Sequence, residues 1–193
     1  VSPNPFYTAE IAEQCMREIF VPTVRAMEQE GCPFKGCLYF GLMLTKDGPK
    51  VIEYNSRFGD PEAQVVLPRL KTDLVDIVNA VIDGTLDRLQ IQWSEQACAC
   101  VVLASGGYPG SYEKGKPITG LDEQGQLEGV AVYHAGTALQ DGRLVTAGGR
   151  VLGVTAMGDT LEQALDKAYA AVENIYFDGM QYRHDIGRAE WKQ

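Results

Sequence analysis

Lysine and arginine nowhere cluster in this sequence. Its 17 basic and 26 acidic side chains give a formal net charge of −9, so nothing supplies the electrostatic footprint of a nucleic-acid or anionic-membrane binder. Any anionic ligand must be met by local groups. Long apolar runs are missing too: none approaches the roughly 20 residues that cross a bilayer, and the first residues show neither a basic nor an apolar leader pattern. The expectation is a cytoplasmic protein with no membrane and no nucleic-acid partner. There is no Cys-x-x-Cys pair, no histidine-rich spacing and no Gly-x-Ser-x-Gly elbow, which leaves zinc and serine-hydrolase readings without support. The five cysteines, Cys15, Cys32, Cys37, Cys98 and Cys100, are an odd number and read as reduced thiols. Cys98 and Cys100 share a strand face with no histidine near in sequence, which favours packing over metal binding. Internal repeats and low-complexity tracts are absent.

What is present is an ordinary globular mixture, 45% hydrophobic and 22% charged over 193 residues, enough for one large or two small domains. From Thr8, a plausible N-cap, the apolar positions Ile11, Cys15, Met16, Ile19, Phe20, Val24 and Met27 recur at helical spacing up to Gly31, with Pro22 expected to kink or divide the helix. Residues 36–45 and 50–55 read as strands joined across Lys46-Asp47-Gly48-Pro49 into an antiparallel hairpin. A short helix is expected to follow Glu62 and to stop near Pro68. Thr72 then caps a core helix carrying Leu74, Ile77, Val78, Val81 and Ile82 before Gly84. Residues 87–94 have little periodicity, which puts a boundary near 90. Beyond it, 97–105, 130–135 and 151–157 read as strands, and Thr160 caps a helix with Leu161, Ala164, Leu165, Ala168 and Val172 on one face. The mixture of strands and helices makes the fold class α+β.

The densest charged stretch is Val51-Ile52-Glu53-Tyr54-Asn55-Ser56-Arg57-Phe58-Gly59-Asp60-Pro61-Glu62. On a strand, Val51, Glu53 and Asn55 take one side and Ile52 and Tyr54 the other. Glu53 and Asn55 then stand about 7 Å apart, within reach of one hard divalent ion that keeps water and phosphate ligands besides. The same pair fits an ordinary solvated sheet face. Asp60-Pro61-Glu62 reads as N-cap, N1 and N2 of a helix whose first amides could meet an anion. Arg57 offers a positive fork suited to carboxylate or phosphate.

These residues carry a resemblance. Arg57-Phe58-Gly59-Asp60-Pro61-Glu62-Ala63-Gln64-Val65 resembles the signature of the glycinamide ribonucleotide synthetases, or phosphoribosylamine-glycine ligases, of the ATP-grasp superfamily. It continues through 36–43 upstream and through 106–110, 133–137, 148–152 and 182–187 downstream, so it covers essentially the whole chain. It implies the C-terminal half of an ATP-grasp domain over 1–90, followed over 91–193 by a small β-rich, barrel-sandwich hybrid-like domain. The family joins glycine to 5-phosphoribosylamine with ATP, by way of a glycyl phosphate, in de novo purine synthesis. Carried over to this sequence, Glu53 and Asn55 become ligands of Mg²⁺ (or Mn²⁺). Arg57 and Asp60 become catalytic candidates, and Gly59, Glu62 and Arg150 substrate-binding ones. Ser56 stands where the family often has cysteine, and Tyr54 where phenylalanine is usual.

The family's glycine-rich phosphate loop, its adenine-contacting lysines and its N-terminal domain have no counterpart here. The expectation is that more than half of the enzyme lies upstream as a missing N-terminal half, and that this portion alone does not turn over. Two rivals stay open, another ATP-grasp carboxylate-amine ligase and a non-catalytic interaction fragment. In the second domain, Gly106-Gly107-Tyr108-Pro109-Gly110 reads as a turn in preference to a backbone loop that approaches a ligand closely, Gly148-Gly149-Arg150 at a strand start has the same two readings with Arg150 a group able to grip phosphate, and His134 reads as a packed, hydrogen-bonded core residue.

Overall fold

Thr8 opens the first helix as its position predicts: its Oγ1 accepts a hydrogen bond from the Ile11 amide at 3.4 Å, and α1 runs over Ala9–Cys15. Pro22 then divides the helical stretch. Proline has no amide to give the carbonyl four residues back, and its ring crowds that carbonyl. The backbone widens in front of it into a π-helical turn, Met16–Phe20, where the Val21 amide reaches the Met16 carbonyl. α2 resumes over Val21–Gln29 with Pro22 in its first turn, and Gly31, with φ 75°, ends it.

The computed structural model describes residues 1–188, so the last five residues of the span expected for the second domain lie outside the described residues. Two units emerge, one built from Pro3–Asp60 and Leu70–Trp93, the other from Val1–Ser2, Pro61–Arg69 and the chain from Ser94 on. In the first, β1 (Tyr39–Thr45) and β2 (Gly48–Asn55) pair antiparallel. The turn is tighter than the sequence predicts, because Thr45 pairs with Gly48 and only Lys46 and Asp47 lie between them. The helices cover the Phe40 face of this hairpin, where the Phe20 and Phe40 rings lie 4.5 Å apart.

Two expectations fail farther on, one about a cap and one about a face. Asp73, not Thr72, caps the helix before Gly84, its Oδ1 accepting from the Val75 amide at 2.8 Å, while the Thr72 hydroxyl accepts from the Gln92 amide. Val78 and Ile82 do not join the core; they are 47% and 67% exposed, alongside Val75 at 64%. Leu74, Ile77 and Val81 recur at three and four and turn inward, and residues one step farther on fall about 100° round the helix.

In the second unit the sheet order is β3-β7-β4, all antiparallel. β3 is Ala97–Ala104, β4 Ala131–His134 and β7 Arg150–Gly158, close to the spans expected. Both faces of β3 are buried because alternate residues meet different partners. Val101 and Leu103 pack with Ala168 and Val172 of the closing helix (Leu161–Val172), and Ala97 and Ala99 pack with its Ala164 and Leu165. Cys98 and Cys100 pack on Val65, in the short helix Ala63–Val66. A hairpin of β5 (Thr137–Gln140) and β6 (Arg143–Thr146), turning on Asp141-Gly142, was not foreseen.

Side chains rather than secondary structure tie the loose segments. Arg69 donates from Nε to the Gln96 carbonyl (2.8 Å), from Nη1 to the Ser2 hydroxyl (2.7 Å) and from Nη2 to the Ser94 carbonyl (3.0 Å). The Tyr169 hydroxyl donates to the Arg183 carbonyl at 2.7 Å and accepts from the Ile186 amide at 3.1 Å. Gln126 pairs with both backbone groups of Val132, like a one-residue strand on the edge of the sheet. No helix among the described residues is long and apolar enough to cross a membrane.

Candidate functional site

β2 delivers the two oxygen-bearing side chains to one place. Glu53 faces Gly41 and Asn55 faces Tyr39 across the hairpin, so both stand on the same side, and Asn55 Nδ2 donates to Glu53 Oε1 at 3.1 Å. Val51 does not share that side. The register slips between Gly41 and Leu42, leaving Ile52 as an extra residue with Val51 opposite Leu42. Such a bulge breaks strict alternation and turns the following side chain. Tyr54, opposite Phe40, takes the helix-covered face, its ring 5.3 Å from that of Phe40. On that face a cavity of about 710 Å³ is lined by Pro22, Ala26, Met27, Phe34, Leu38 and Tyr54 among others.

The turn after β2 carries Arg57, which is exposed and donates from Nη1 to the Phe58 carbonyl at 2.7 Å. Gly59 is buried and Asp60 exposed in the same turn. Asp60 is not the N-cap. The helix starts at Ala63 with Glu62 in the cap position, and the Glu62 carbonyl accepts from the amides of Val65 and Val66. With four residues it is too short to present the anion-binding terminus that Asp60-Pro61-Glu62 predicts; Pro61 and Glu62 lie in a turn instead. Glu62 and Arg150 belong to the second unit.

Arg150 opens β7 opposite Ala104 and is half-buried. Around it the backbones crowd. Ser105 bonds the carbonyls of both Gly148 and Gly149, each at 2.8 Å, and an added Cβ on Gly148 would stand 3.0 Å from the Gly136 α-carbon. Gly148 thus serves close packing of chain on chain, and Gly149 leaves room for the rings of Tyr108 and Tyr112. Gly106–Gly110 is a turn, with Tyr108 bonding back to Ser105 and Gly110 to Gly107. His134 is exposed rather than part of the core, yet both ring nitrogens are engaged, Nδ1 with Thr137 Oγ1 at 3.0 Å and Nε2 with the Gly125 carbonyl at 2.9 Å. Both ring nitrogens thus help hold the Gly125 and Thr137 segments together.

Among the described residues no group of three or more His, Cys, Asp or Glu side chains could hold a metal ion. A carboxylate and an amide oxygen on one exposed face can still give two oxygens to a hard cation that fills its shell with water and phosphate. All five thiols are free. Burial pushes the Cys98 thiol up to about 11, far from the thiolate that a metal or an electrophile would need.

The phosphoribosylglycinamide synthetase ATP-grasp (A) domain model matches residues 1–63, and the phosphoribosylglycinamide synthetase C domain model matches residues 98–189. A phosphoribosylamine–glycine ligase of Caldanaerobacter subterraneus subsp. tengcongensis is 47% identical over 186 residues, 96% of this chain and 44% of that protein. The crystal structure of a phosphoribosylamine–glycine ligase from Thermotoga maritima superposes with a TM-score of 0.75 at 38% identity, over 92% of this chain and 44% of that one. An N5-carboxyaminoimidazole ribonucleotide synthetase from Thermotoga maritima shares the fold, with a TM-score of 0.56 at 20% identity over 88% of this chain and 43% of that one. The chain thus spans less than half the length of these relatives.

Proposed function

Since the chain belongs to the phosphoribosylglycinamide synthetase family, with an ATP-grasp fold followed by a C-terminal domain, we propose that it forms the C-terminal portion of an ATP-dependent carbon–nitrogen ligase. That ligase joins glycine to 5-phosphoribosylamine, giving glycinamide ribonucleotide, ADP and phosphate in purine biosynthesis. The supporting observation is the 47% identity to a phosphoribosylamine–glycine ligase across 96% of the chain. In this reading, residues 1–90 complete the ATP-grasp core together with an N-terminal half, residues 91–193 form the small C-terminal domain, and the enzyme works in the cytoplasm.

Glu53 and Asn55 hold Mg²⁺ or Mn²⁺, which when bound offsets the negative charge of the nucleotide phosphates. Asn55 keeps the Glu53 carboxylate in place through their hydrogen bond. Arg57, tethered to the Phe58 carbonyl, steadies the phosphoryl group in transfer. Asp60 orients the amine substrate or Arg57. Gly59 lets backbone approach the substrate, and Glu62 and Arg150 contribute to its binding, Arg150 through the ribose phosphate.

The test is glycine-dependent ADP formation with ATP, Mg²⁺ and phosphoribosylamine, with and without the N-terminal half of a family member supplied in trans. Activity only on complementation is the expected result. Complemented protein that forms no ADP on adding glycine and phosphoribosylamine overturns the reading.

A further inference from the structure

Gly41 sits in the interior of a strand, where a glycine weakens pairing unless something needs the room. Its backbone has no left-handed φ to explain it, for Gly41 is not among the positive-φ glycines of the chain. What needs the room is Glu53. A Cβ built on Gly41 would lie 2.7 Å from Glu53 Cγ and 3.6 Å from its Cδ. The near end of the glutamate side chain therefore lies across the bare α-carbon of its cross-strand partner. One residue before Glu53, the bulge at Ile52 resets the strand so that Glu53 and not Ile52 comes opposite Gly41. Ile52 itself is 62% exposed and serves no core.

We propose that Gly41 and the Ile52 bulge position Glu53, holding its carboxylate in the one orientation in which it meets Asn55 and presents its other oxygen to a cation. The proposal rests on the reading of Glu53 and Asn55 as metal-holding residues. A methyl at position 41 forces Glu53 out of its rotamer, because Cγ cannot escape by bending the tip of the side chain. The carboxylate then leaves Asn55 Nδ2. Gly41 is a positioning residue and touches no substrate.

The first readout needs no activity. In NMR spectra of this chain without metal, Glu53→Gln shifts the Asn55 side-chain amide resonances, and Gly41→Ala moves them as well. Thermal unfolding supplies the second. Gly41→Ala lowers the unfolding midpoint in the parent protein, but the loss disappears when Glu53 is already Ala, because the clashing Cγ is gone and alanine suits a strand better than glycine. This comparison works even if the single variant folds poorly. In the ligase assembled with its N-terminal half, Gly41→Ala raises the Mg²⁺ concentration for half-maximal rate about tenfold and leaves the KM for glycine within twofold.

Asn55 resonances unmoved by Gly41→Ala, or a stability loss that persists in the Glu53→Ala background, overturn the positioning role. If Glu53→Gln leaves the Mg²⁺ requirement unchanged, the metal-holding reading fails, and the NMR and unfolding comparisons still decide whether Gly41 orients Glu53.

Discussion

Replacing Arg69 with alanine should cost the second unit about 3 kcal/mol. The guanidinium makes three hydrogen bonds, to the Gln96 and Ser94 carbonyls and to the Ser2 hydroxyl, all between 2.7 and 3.0 Å. Hydrogen bonds from a charged donor contribute about 1.5–3 kcal/mol each, and the low end applies because the side chain is only half-buried. That gives roughly 5 kcal/mol, against about 2 kcal/mol of side-chain entropy regained when the arginine is removed. With a urea dependence of about 1–3 kcal/mol/M, the midpoint followed by circular dichroism should fall by about 1–3 M. Arg69→Lys separates charge from geometry. An ammonium can reach one of the three acceptors but cannot span them as a planar fork does, so lysine should recover only about a third of the loss. A midpoint for Arg69→Ala within about 0.3 M of the parent would refute the idea that this side chain fastens residues 61–69 to 94–96.

Tyr169→Phe keeps the ring beneath the Arg188 guanidinium, 5.2 Å from its centre, and removes only the hydroxyl. Losing its two hydrogen bonds should cost about 2 kcal/mol and speed amide exchange at Ile186 at least tenfold. In native protein a thiol reagent should label Cys32 quickly and Cys37 slowly, and reach Cys15, Cys98 and Cys100 only on unfolding. Cys98 also sets an alkaline limit. Its folded pKa of about 11 lies above the ordinary 9.0, so the unfolded chain gives up the proton first and stability falls as pH rises from about 9 to about 11. Unfolding midpoints measured across that window should fall less steeply for Cys98→Ala. Arg57→Ala, in the complemented ligase, should lower turnover by about a hundredfold while moving the thermal midpoint by less than 2 °C, since exposed Arg57 makes one bond within its own turn. Equal turnover would sink its role.

Elements with a strong local signal were legible. The Thr160 cap and the stripe Ala164, Leu165, Ala168 and Val172 gave the closing helix and its buried face as observed, because cap chemistry and spacing there agree with the packing. The pairing of Glu53 with Asn55 on one face was also legible, since a two-residue step along a strand survives whatever happens before it. What failed depended on partners distant in sequence. The Ile52 bulge arises from register against Leu42 and Gly41, and nothing in β2 alone announces it. Val78 and Ile82 read as core because apolar residues mark a helix face without saying what will cover it. The hairpin at Asp141-Gly142 did carry a signal, the two-residue turn flanked by strand formers, but its strands are only four residues long. Asp60-Pro61-Glu62 has the composition of a helix start, and tertiary packing placed the start two residues later.

The π-helical turn at Met16–Phe20 works as a phase slip. Its one inserted residue sets every later side chain about 100° behind the position its number would give, so α1 and α2 obey two helical wheels instead of one. Discounting that residue puts Phe20 and Met27, both half-buried, within about 40° of the fully buried Cys15, while Met16 and Val24, 53% and 46% exposed, fall about 80–100° away. It also means that this stretch has a spare residue. Deleting Arg17 or Glu18 would let the two helices merge into one continuous α-helix while Cys15 and Phe20 keep their present sides.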